Sequence, residues 1–368
     1  MIYNENALKT WCTVNLDEIA GNYNYTKSRT NSDVICVVKA NAYGHGAVKV
    51  STRLEKEGCN FFAVSSIEEA LELRCGGIKG NILVLGYVLP ERIKDAVSNN
   101  ISFACASYDF AKTLCNADFE GKAKVHIKLN TGMNRTGFNV CHSNGYEDLK
   151  DAIELLIAKE NIEVEGVFSH FAKAEDDKTF SQKQYGYYSN AVDFIKSKGI
   201  NPEILHICNS AGTYNYPSMH MDAVRLGINL YGCDTADKNF HPVMNFYTRI
   251  VDIHTLKEGD GVSYGLMFVA DKETKIAVIG AGYADGILRC LSYGKGSVLI
   301  GGVKCPIIGR VCMDMTMVDI TAVPDAKVGD VVTIWGDGLS CDEQAKNACT
   351  ISYELLCSVA PRVYRVYE

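Results

Sequence analysis

Apolar positions in the first two thirds of the chain recur in short runs, and helical patterns such as Ile67–Leu73 lie between most of these runs. The runs are rich in β-branched and aromatic residues, which is typical of strands that are buried on both faces of a parallel sheet. The pattern predicts eight such strands, at residues 33–39, 61–66, 82–87, 102–107, 123–129, 164–170, 204–209 and 222–228.

Eight strands that alternate with helices predict an α/β fold built from right-handed β/α units. Such a series either closes as a (β/α)8 TIM-type barrel or opens as a doubly wound sheet, and the count of eight favours the barrel. An alternating stretch before the series, Lys9–Val14, predicts an edge strand that is compatible with either domain. Asn15, with Glu18 three residues later, predicts the start of a helix.

The pattern changes after about residue 235, where apolar runs are separated by Gly, Asp and Pro turns with few helical patterns between them. This pattern of apolar runs and turns predicts a mostly antiparallel β domain. We therefore expect a barrel domain at residues 1–235 and a β domain at 236–368. The runs of the second domain are Val243–Leu256, Lys275–Ile279, Ser297–Ile300, Val303–Ile308, Met315–Ile320 and Val331–Trp335, and a helical pattern follows at Cys341–Ala348.

Composition narrows the classes of protein that fit. Apolar residues make up 47% and charged residues 22% of the chain, as in globular proteins. A net charge of −7 gives no electrostatic signature of a nucleic-acid partner, and neither a membrane-spanning run nor a signal peptide is predicted. The fifteen cysteines contain no CxxC pair, so we expect reduced thiols in the cytoplasm and no metal site.

Polar residues follow the predicted strands at the end where barrels carry out their chemistry. Each has an ordinary alternative: Lys39 could simply reach solvent, His170 could be a core histidine, Asn209 and Ser210 could cap a helix, and Arg225 could form an ion pair. The residues in question are Lys39 and Tyr43 after the first strand, Lys128, Asn130 and Arg135 after the fifth, Ser169 and His170 after the sixth, Asn209 and Ser210 after the seventh, and Arg225, Gly227 and Ile228 at the eighth.

Together these residues point to an anionic ligand. Two lysines, two arginines and a histidine at one barrel mouth would repel one another unless an anion lay among them. An amine with apolar walls, as predicted for Lys39, readily forms a Schiff base because desolvation favours its neutral, nucleophilic form. Hydroxyls of Tyr43 and Ser210 and the amides of Gly227 and Ile228 would suit a phosphate. Pyridoxal 5′-phosphate is therefore the predicted cofactor.

A series of motifs covers nearly the whole chain and resembles the alanine racemase family. No single motif would be specific, but their order along the chain matches that of the family. The motifs are VVKANAYGHG, KLNTGMNRTGF, VFSHFAKAED, NSAGT, RLGINLYG, VSYGLMF, GYADG, GRVCMDM and ISYELLC.

The resemblance implies a pyridoxal-phosphate-dependent alanine racemase that forms a head-to-tail homodimer and supplies D-alanine for peptidoglycan. It implies two bases: Lys39, which also binds the cofactor covalently, and Tyr264, which enters from the partner subunit. Lys128 matches a lysine that relatives often carbamylate. The implied cofactor ligands are Tyr43, His170, Asn209, Ser210, Arg225, Gly227, Ile228 and Tyr353, and the implied substrate ligands are Arg135, Met313, Tyr283 and Asp314.

Some features leave alternatives open. Asn130 stands where the family often has aspartate, and Tyr264 on sequence alone is more simply a packing residue. Tyr353 favours alanine over serine, but a serine or broad-specificity racemase remains an alternative. The second domain argues against a non-catalytic cofactor carrier, and Arg225 argues against the related decarboxylases. Gly280-Ala281-Gly282 imitates a dinucleotide-binding turn, but no βαβ unit follows it.

Overall fold

The computed structural model describes residues 7–368, which form two compact units. One unit contains Tyr23–Ala42 and Ala47–Leu230. The other contains the chain up to Asn22, the short segment Tyr43–Gly46 and the chain from Tyr231 to Glu368. Residues that are far apart in sequence therefore share a unit.

The first 230 residues alternate strands with helices, as the apolar pattern predicts. The strands are β1 (Thr10–Val14), β2 (Asp33–Val37), β3 (Phe61–Val64), β4 (Asn81–Val84), β5 (Ser102–Cys105), β6 (Ala123–Asn130), β7 (Phe138–Asn139), β8 (Ile162–Phe168), β9 (Ile204–His206) and β10 (Ala223–Leu226). The helices are α1 (Leu16–Ser28), α2 (Ala47–Lys56), α3 (Ile67–Cys75), α4 (Ile93–Ser98), α5 (Tyr108–Asn116), α6 (Gly145–Ile157), α7 (Lys178–Ser197) and α8 (Ser210–Asn215).

Eight of these strands form a parallel barrel in the order β10-β2-β3-β4-β5-β6-β8-β9, so all eight predicted strands and the predicted barrel are confirmed. The short strand β7 lies off this path beside β6. The two ends of the sheet meet through backbone hydrogen bonds from Asp222 N–H to Leu205 O (3.1 Å) and from Arg225 N–H to Cys208 O (3.0 Å). The strands bury nearly continuous apolar runs because helices and the barrel interior cover their two faces.

The second unit is built on an eight-stranded, mostly antiparallel sheet, which confirms the predicted β architecture. Its order is β14-β17-β16-β15-β18-β11-β1-β19. Beyond residue 240 the strands are β11 (Met244–Leu256), β12 (Gly261–Val262), β13 (Phe268–Val269), β14 (Thr274–Ile279), β15 (Ser297–Ile300), β16 (Val303–Ile308), β17 (Thr316–Asp319), β18 (Val331–Trp335) and β19 (Tyr364–Tyr367), with helices α9 (Cys341–Asn347) and α10 (Ser352–Ser358).

Strand β1 corrects one prediction. The alternation at Lys9–Val14 predicts an edge strand, but β1 lies between β11, with which it is antiparallel, and β19, with which it is parallel. Its side chains are mostly buried, and both of its edges are paired with a neighbouring strand. The helix start at Asn15 is confirmed, because the Asn15 side chain accepts hydrogen bonds from Asp17 N–H (2.9 Å) and Glu18 N–H (3.0 Å).

Some short elements have no counterpart in the sequence prediction. They are the strand β7, the small hairpin β12–β13, helix α10 and the last strand, β19. Each is too short for its periodicity to distinguish it from a loop. In the described part of the chain, no helix combines the length and the apolar character needed to cross a membrane.

Candidate active site

Lys39 opens an unusual backbone segment directly after β2. The four residues that follow it, Ala40–Tyr43, all have left-handed backbone angles, with φ between 51° and 54°. Such angles cost non-glycine residues roughly 1–2 kcal/mol each, so the segment needs support from its surroundings. This left-handed turn corrects the expectation that the strand continues through Lys39, and it sets the direction of the lysine at the carboxyl end of the barrel.

Two side chains support the left-handed turn. One carboxylate oxygen of Glu69 accepts a hydrogen bond from Ala40 N–H (2.6 Å), and the other accepts from Ser65 N–H (2.7 Å) at the end of β3. The Asn41 side chain accepts from Ala47 N–H (2.8 Å), the first residue of α2. The residue after Lys39 is therefore tied to the neighbouring strand, and the turn is tied to the next helix.

Lys128 lies in a cluster of positive charges. Its ammonium donates to Leu85 O (3.3 Å) and lies 5.4 Å from the centre of the Phe168 ring, while only 8% of the residue is exposed. Burial, followed by the charges of Arg135, Arg225 and Lys39, lowers the pKa of Lys128 to about 8. A substantial fraction of this amine is therefore neutral near physiological pH.

Arg225 is almost completely buried and is held by several acceptors. Its Nη1 donates to His206 Nδ1 (2.7 Å), and its Nη2 donates to Ser169 O (2.7 Å), Ile207 O (3.0 Å) and His170 Nδ1 (3.1 Å). Burial lowers the pKa of Arg225 to about 10. The remaining donor, Nε–H, has no acceptor within residues 7–368.

The same cluster of positive charges affects the protonation of His170. Burial, and then the charges of Arg225, Arg135, Lys39 and Lys128, hold the pKa of His170 well below its usual range. The imidazole is thus neutral, with Nδ1 accepting from Arg225 and Nε2 carrying the proton. His170 is therefore joined to Arg225 as a neutral acceptor.

The donor set of this cluster fits a phosphorylated aldehyde. In the described residues, no carboxylate forms an ion pair with Lys128, Arg135 or Arg225. Cations that are brought together in this way favour an anionic ligand.

At the carboxyl ends of β9 and β10, buried Ser210 Oγ accepts from Gly227 N–H (2.9 Å), and Ile228 begins a 3₁₀ turn. Asn209 accepts from Gly212 N–H (3.0 Å), so the capping alternative is correct for this residue.

Asn130 shapes the loop that carries Arg135. Its side-chain oxygen accepts from Gly132 N–H (3.1 Å) and Asn134 N–H (2.9 Å), and its amide donates to Asn134 Oδ1 (3.0 Å). An aspartate could make the first two bonds but not the third. Asn130 thus keeps the shape of the loop while leaving a negative charge out of the cationic cluster.

Tyr43 and Tyr353, which are far apart in sequence, come together in the second unit. Tyr43 is buried, with its ring 4.7 Å from that of Tyr231 and 5.8 Å from that of Tyr353. Gly44 follows with φ of 82°, and a Cβ at this position would lie 2.3 Å from Leu356 O. The close approach of the segment to α10 explains why glycine follows Tyr43.

Tyr264 lies at the tip of the β12–β13 hairpin and is 70% exposed. The loop beneath it is strained, with φ of 66° at Ser263 and 45° at Leu266. Ser263 Oγ donates to Arg310 O (2.8 Å), which ties this loop to the segment that precedes Met313. The packing alternative for Tyr264 therefore fails, because its side chain faces solvent in the monomer.

The segment around Met313 packs on the loop that carries Tyr283. Tyr283 N–H donates to Cys312 O, and Ala284 N–H donates to Met313 O, both at 3.0 Å. Asp314 accepts from Arg362 (2.8 Å), which also binds Asp285. Three predicted substrate residues of this unit are thus brought together: Tyr283, Met313 and Asp314.

Three further residues organise the barrel end and are absent from the sequence prediction. Gln184 donates to Thr131 Oγ1 and His170 O, both at 3.1 Å, and accepts from Ala172 N–H (2.9 Å). Phe168 stacks on His206 at 5.1 Å. Glu69 is the third of these residues. Each of the three contacts partners that are distant in sequence, so the sequence around it does not show that it contributes to the site.

Comparison with known proteins agrees with this geometry. The model for the alanine racemase N-terminal domain matches residues 14–235, and that for the C-terminal domain matches residues 243–367. An alanine racemase of Methanococcus maripaludis is 40% identical over 372 residues, which span 97% of this chain and 98% of the relative.

Solved structures give the same result. The alanine racemase of Clostridium difficile 630 superimposes with a TM-score of 0.91 at 35% identity, covering 98% of this chain and 96% of the other. The alanine racemase of Bacillus anthracis with bound L-Ala-P gives 0.90 at 32% identity, covering 98% and 95%. The chain belongs to the alanine racemase family.

Proposed function

We propose that this enzyme interconverts L- and D-alanine with pyridoxal 5′-phosphate as its cofactor. The observation that carries the proposal is the convergence of Lys39, Lys128, Arg135 and Arg225 on one barrel end, where Lys128, Arg135 and Arg225 have no carboxylate partner among the described residues. Family membership supplies the reaction, and the cationic cluster suits the phosphorylated cofactor and the substrate carboxylate. When bound, pyridoxal phosphate supplies an electron sink that acidifies the α-proton of the amino acid.

Lys39 would hold the cofactor covalently, and the left-handed turn would fix the direction of its amine. Arg225 would face the pyridine nitrogen through Nε–H, with its other nitrogens already bound. A permanent cation there keeps the ring nitrogen unprotonated, which limits side reactions. The phosphate ligands remain predictions and are Tyr43, Ser210, Gly227, Ile228 and Tyr353.

Racemisation needs a proton acceptor on each face of the substrate, since the α-proton leaves one face and returns on the other. We assign these roles to the Lys39 amine and to the Tyr264 phenol of a second copy of the chain. Arg135 and the Met313 backbone would bind the substrate carboxylate, with Tyr283 and Asp314 nearby. His170 would link Arg225 to Tyr264.

The exposed tip of the hairpin supports a homodimer. Tyr264, Leu266, Met267, Val269 and Met313 are all more than half exposed, and together with Met315 we call them the apolar tip patch. A contiguous apolar patch on a protein surface marks an interaction site more often than an idle surface. A head-to-tail dimer would cover this patch and bring Tyr264 to the barrel end of the partner.

Carbamylation of Lys128 completes the proposal. A neutral amine reacts with carbon dioxide, and the lowered pKa of Lys128 increases the neutral fraction. The product is an anion that would attract Arg135, which replaces a repulsive contact with an attractive one. The physiological role that we propose is the supply of D-alanine for peptidoglycan.

The cofactor assignment is tested by borohydride reduction followed by peptide mapping. The label should be fixed irreversibly on Lys39, and a label on any other lysine would overturn the assignment. Racemisation is then assayed with both enantiomers of alanine, serine and basic amino acids. We expect alanine to be the best substrate, and exclusive activity on serine would replace the proposed substrate.

The two-base assignment is tested with Tyr264→Phe, which removes the phenolic proton and keeps the ring. We expect α-proton exchange with solvent to be lost from one enantiomer and kept from the other, because each base serves one face. Tyr293→Phe is the matched control, since Tyr293 is also an exposed tyrosine of this unit. Unchanged exchange from both enantiomers in Tyr264→Phe would refute the assignment.

A further inference from the structure

A row of four buried side chains crosses the barrel from Glu165 to Arg225. Glu165 Oε2 lies 3.0 Å from His126 Nε2, and His126 Nδ1 lies 3.0 Å from His206 Nε2. His206 Nδ1 in turn lies 2.7 Å from Arg225 Nη1. All four residues are at least nine-tenths buried, and they come from the adjacent strands β8, β6, β9 and β10. We call them the Glu165 relay.

The hydrogen-bond direction in the Glu165 relay follows from chemistry alone. A guanidinium only donates, so His206 Nδ1 must accept, and the proton of a neutral His206 is therefore on Nε2. That N–H donates to His126 Nδ1, so the proton of His126 is also on Nε2 and is donated to Glu165. Every bond in the row thus points from the arginine to the carboxylate.

The protonation states agree with this direction. Burial by itself would raise the pKa of Glu165, but hydrogen bonds from His126 and Ser102 and the charge of Lys124 hold it below its usual range. Burial, followed by the charge of Arg225, holds the pKa of His206 well below its usual range. The row therefore has an anion at one end, a cation at the other and neutral imidazoles between them.

The Glu165 relay also connects the buried positive charge of Arg225 to a buried negative charge. No carboxylate in residues 7–368 forms an ion pair with Arg225, and its acceptors are carbonyl oxygens and neutral imidazole nitrogens. A buried cation without an anion is costly. Glu165, whose other carboxylate oxygen pairs with Lys124 (3.4 Å), is the buried anion to which Arg225 is connected through hydrogen bonds of the two imidazoles.

We propose that Glu165 and His126 are positioning residues that hold His206 in its Nε2–H form and so keep Arg225 cationic with Nε aimed at the ring nitrogen of the cofactor. The orientation of Arg225 Nε toward the cofactor rests on the proposed function. The tautomers of His126 and His206 do not, because hydrogen bonds within the protein determine them.

The first test uses the cofactor-free enzyme, with ¹⁵N-histidine NMR to locate the proton on each imidazole. Both His126 and His206 should be Nε2–H forms in the wild type. In Glu165→Gln the amide can donate to His126 Nε2, which would drive the protons to Nδ1 and set His206 against Arg225 donor to donor. We therefore expect the ring-nitrogen signals of both histidines to change.

The matched control is Glu163→Gln. Glu163 lies on the same strand, and its carboxylate pairs at the surface with Lys122 (3.1 Å). This variant has the same change of charge and should leave both histidines as in the wild type. An Nδ1–H form of either histidine in the wild type, or unchanged signals in Glu165→Gln, would overturn the proposal, and the first result needs no variant to fold.

The second test uses the cofactor-loaded enzyme and L-alanine. A misaligned or neutral Arg225 would let the ring nitrogen take a proton, which favours abortive transfer of the amino group to the cofactor with release of pyruvate. Glu165→Gln should release roughly tenfold more pyruvate per racemisation turnover than Glu163→Gln, about the effect of one pKa unit at the ring nitrogen. An equal ratio in the two variants would refute the connection to the cofactor.

The two tests separate this proposal from the proposed function. If borohydride fixes no cofactor on Lys39, the proposed function fails, but the NMR experiment still decides whether the relay is ordered as described. If the label is on Lys39 and the histidine signals do not respond to Glu165→Gln, the relay fails and the proposed function stands.

Discussion

Replacement of Glu69 tests whether a single carboxylate holds the turn that carries the reactive lysine. Glu69→Gln keeps the volume of the side chain but replaces one acceptor oxygen with an NH₂ group. That group would face either Ala40 N–H or Ser65 N–H, which are themselves donors, so one of the bonds at 2.6 and 2.7 Å must be lost. The left-handed segment Ala40–Tyr43 then loses part of its support.

The expected magnitude follows from the type of bond. A hydrogen bond to a charged group contributes about 1.5–3 kcal/mol, and water compensates part of the loss because Glu69 is only partly buried. We therefore expect a loss of about 1 kcal/mol for Glu69→Gln and about 2 kcal/mol for Glu69→Ala. If the loss is local to the turn, cofactor binding weakens about fivefold and about thirtyfold, since about 1.4 kcal/mol is tenfold.

The assay is cofactor titration of the apoenzyme, followed by the absorbance of the bound cofactor, together with thermal unfolding. Glu68→Gln is the matched control, because Glu68 is the preceding residue of α3 and pairs with Arg92 at the surface (2.9 Å). An exposed pair contributes little, so this variant should bind the cofactor like the wild type. Equal cofactor affinity in Glu69→Gln and Glu68→Gln would refute the reasoning.

Two further predictions concern the cationic cluster. Lys128→Met should raise the melting temperature of the cofactor-free protein at pH 7, because the folded pKa of Lys128, about 8, lies below its ordinary value of 10.5. Between these values the unfolded state binds more protons, so wild-type stability should rise with pH relative to Lys128→Met; parallel pH profiles would contradict this. Asn130→Asp should place a carboxylate near Lys128, raise the pKa of its amine and reduce its labelling by ¹³C-bicarbonate in NMR. Unchanged labelling would show that the charge does not act on Lys128, and Asn81→Asp is the control, because Asn81 is exposed at the first residue of β4, at the other end of the barrel strands.

The sequence by itself determined the architecture and predicted which polar groups meet at the end of the barrel. Buried parallel strands are easy to identify in a sequence, because each needs a continuous apolar run. The number of these runs predicted the barrel. The residues that follow the strands could also be identified, because the sequence shows where each strand ends. A barrel places the carboxyl ends of all its strands at one face, so these residues were expected to lie together. The second domain was recognisable for the same reason, from turn-separated apolar runs.

Only the tertiary structure decided how these groups are oriented and charged. The left-handed turn after Lys39 could not be predicted, because Ala40 and Ala42 have no preference for positive φ and adopt it only where Glu69 and the next helix hold them. The place of β1 inside its sheet likewise depends on partners more than 200 residues away.

The Glu165 relay shows the same limit most clearly. His126, Glu165 and His206 lie within apolar strand patterns, where a polar residue has no local signal of function. Their hydrogen-bond order exists only once β6, β8, β9 and β10 stand side by side and exclude water. The sequence indicates which groups a fold can bring together. Their protonation states, tautomers and hydrogen-bond directions depend on distances and burial that exist only in the folded chain.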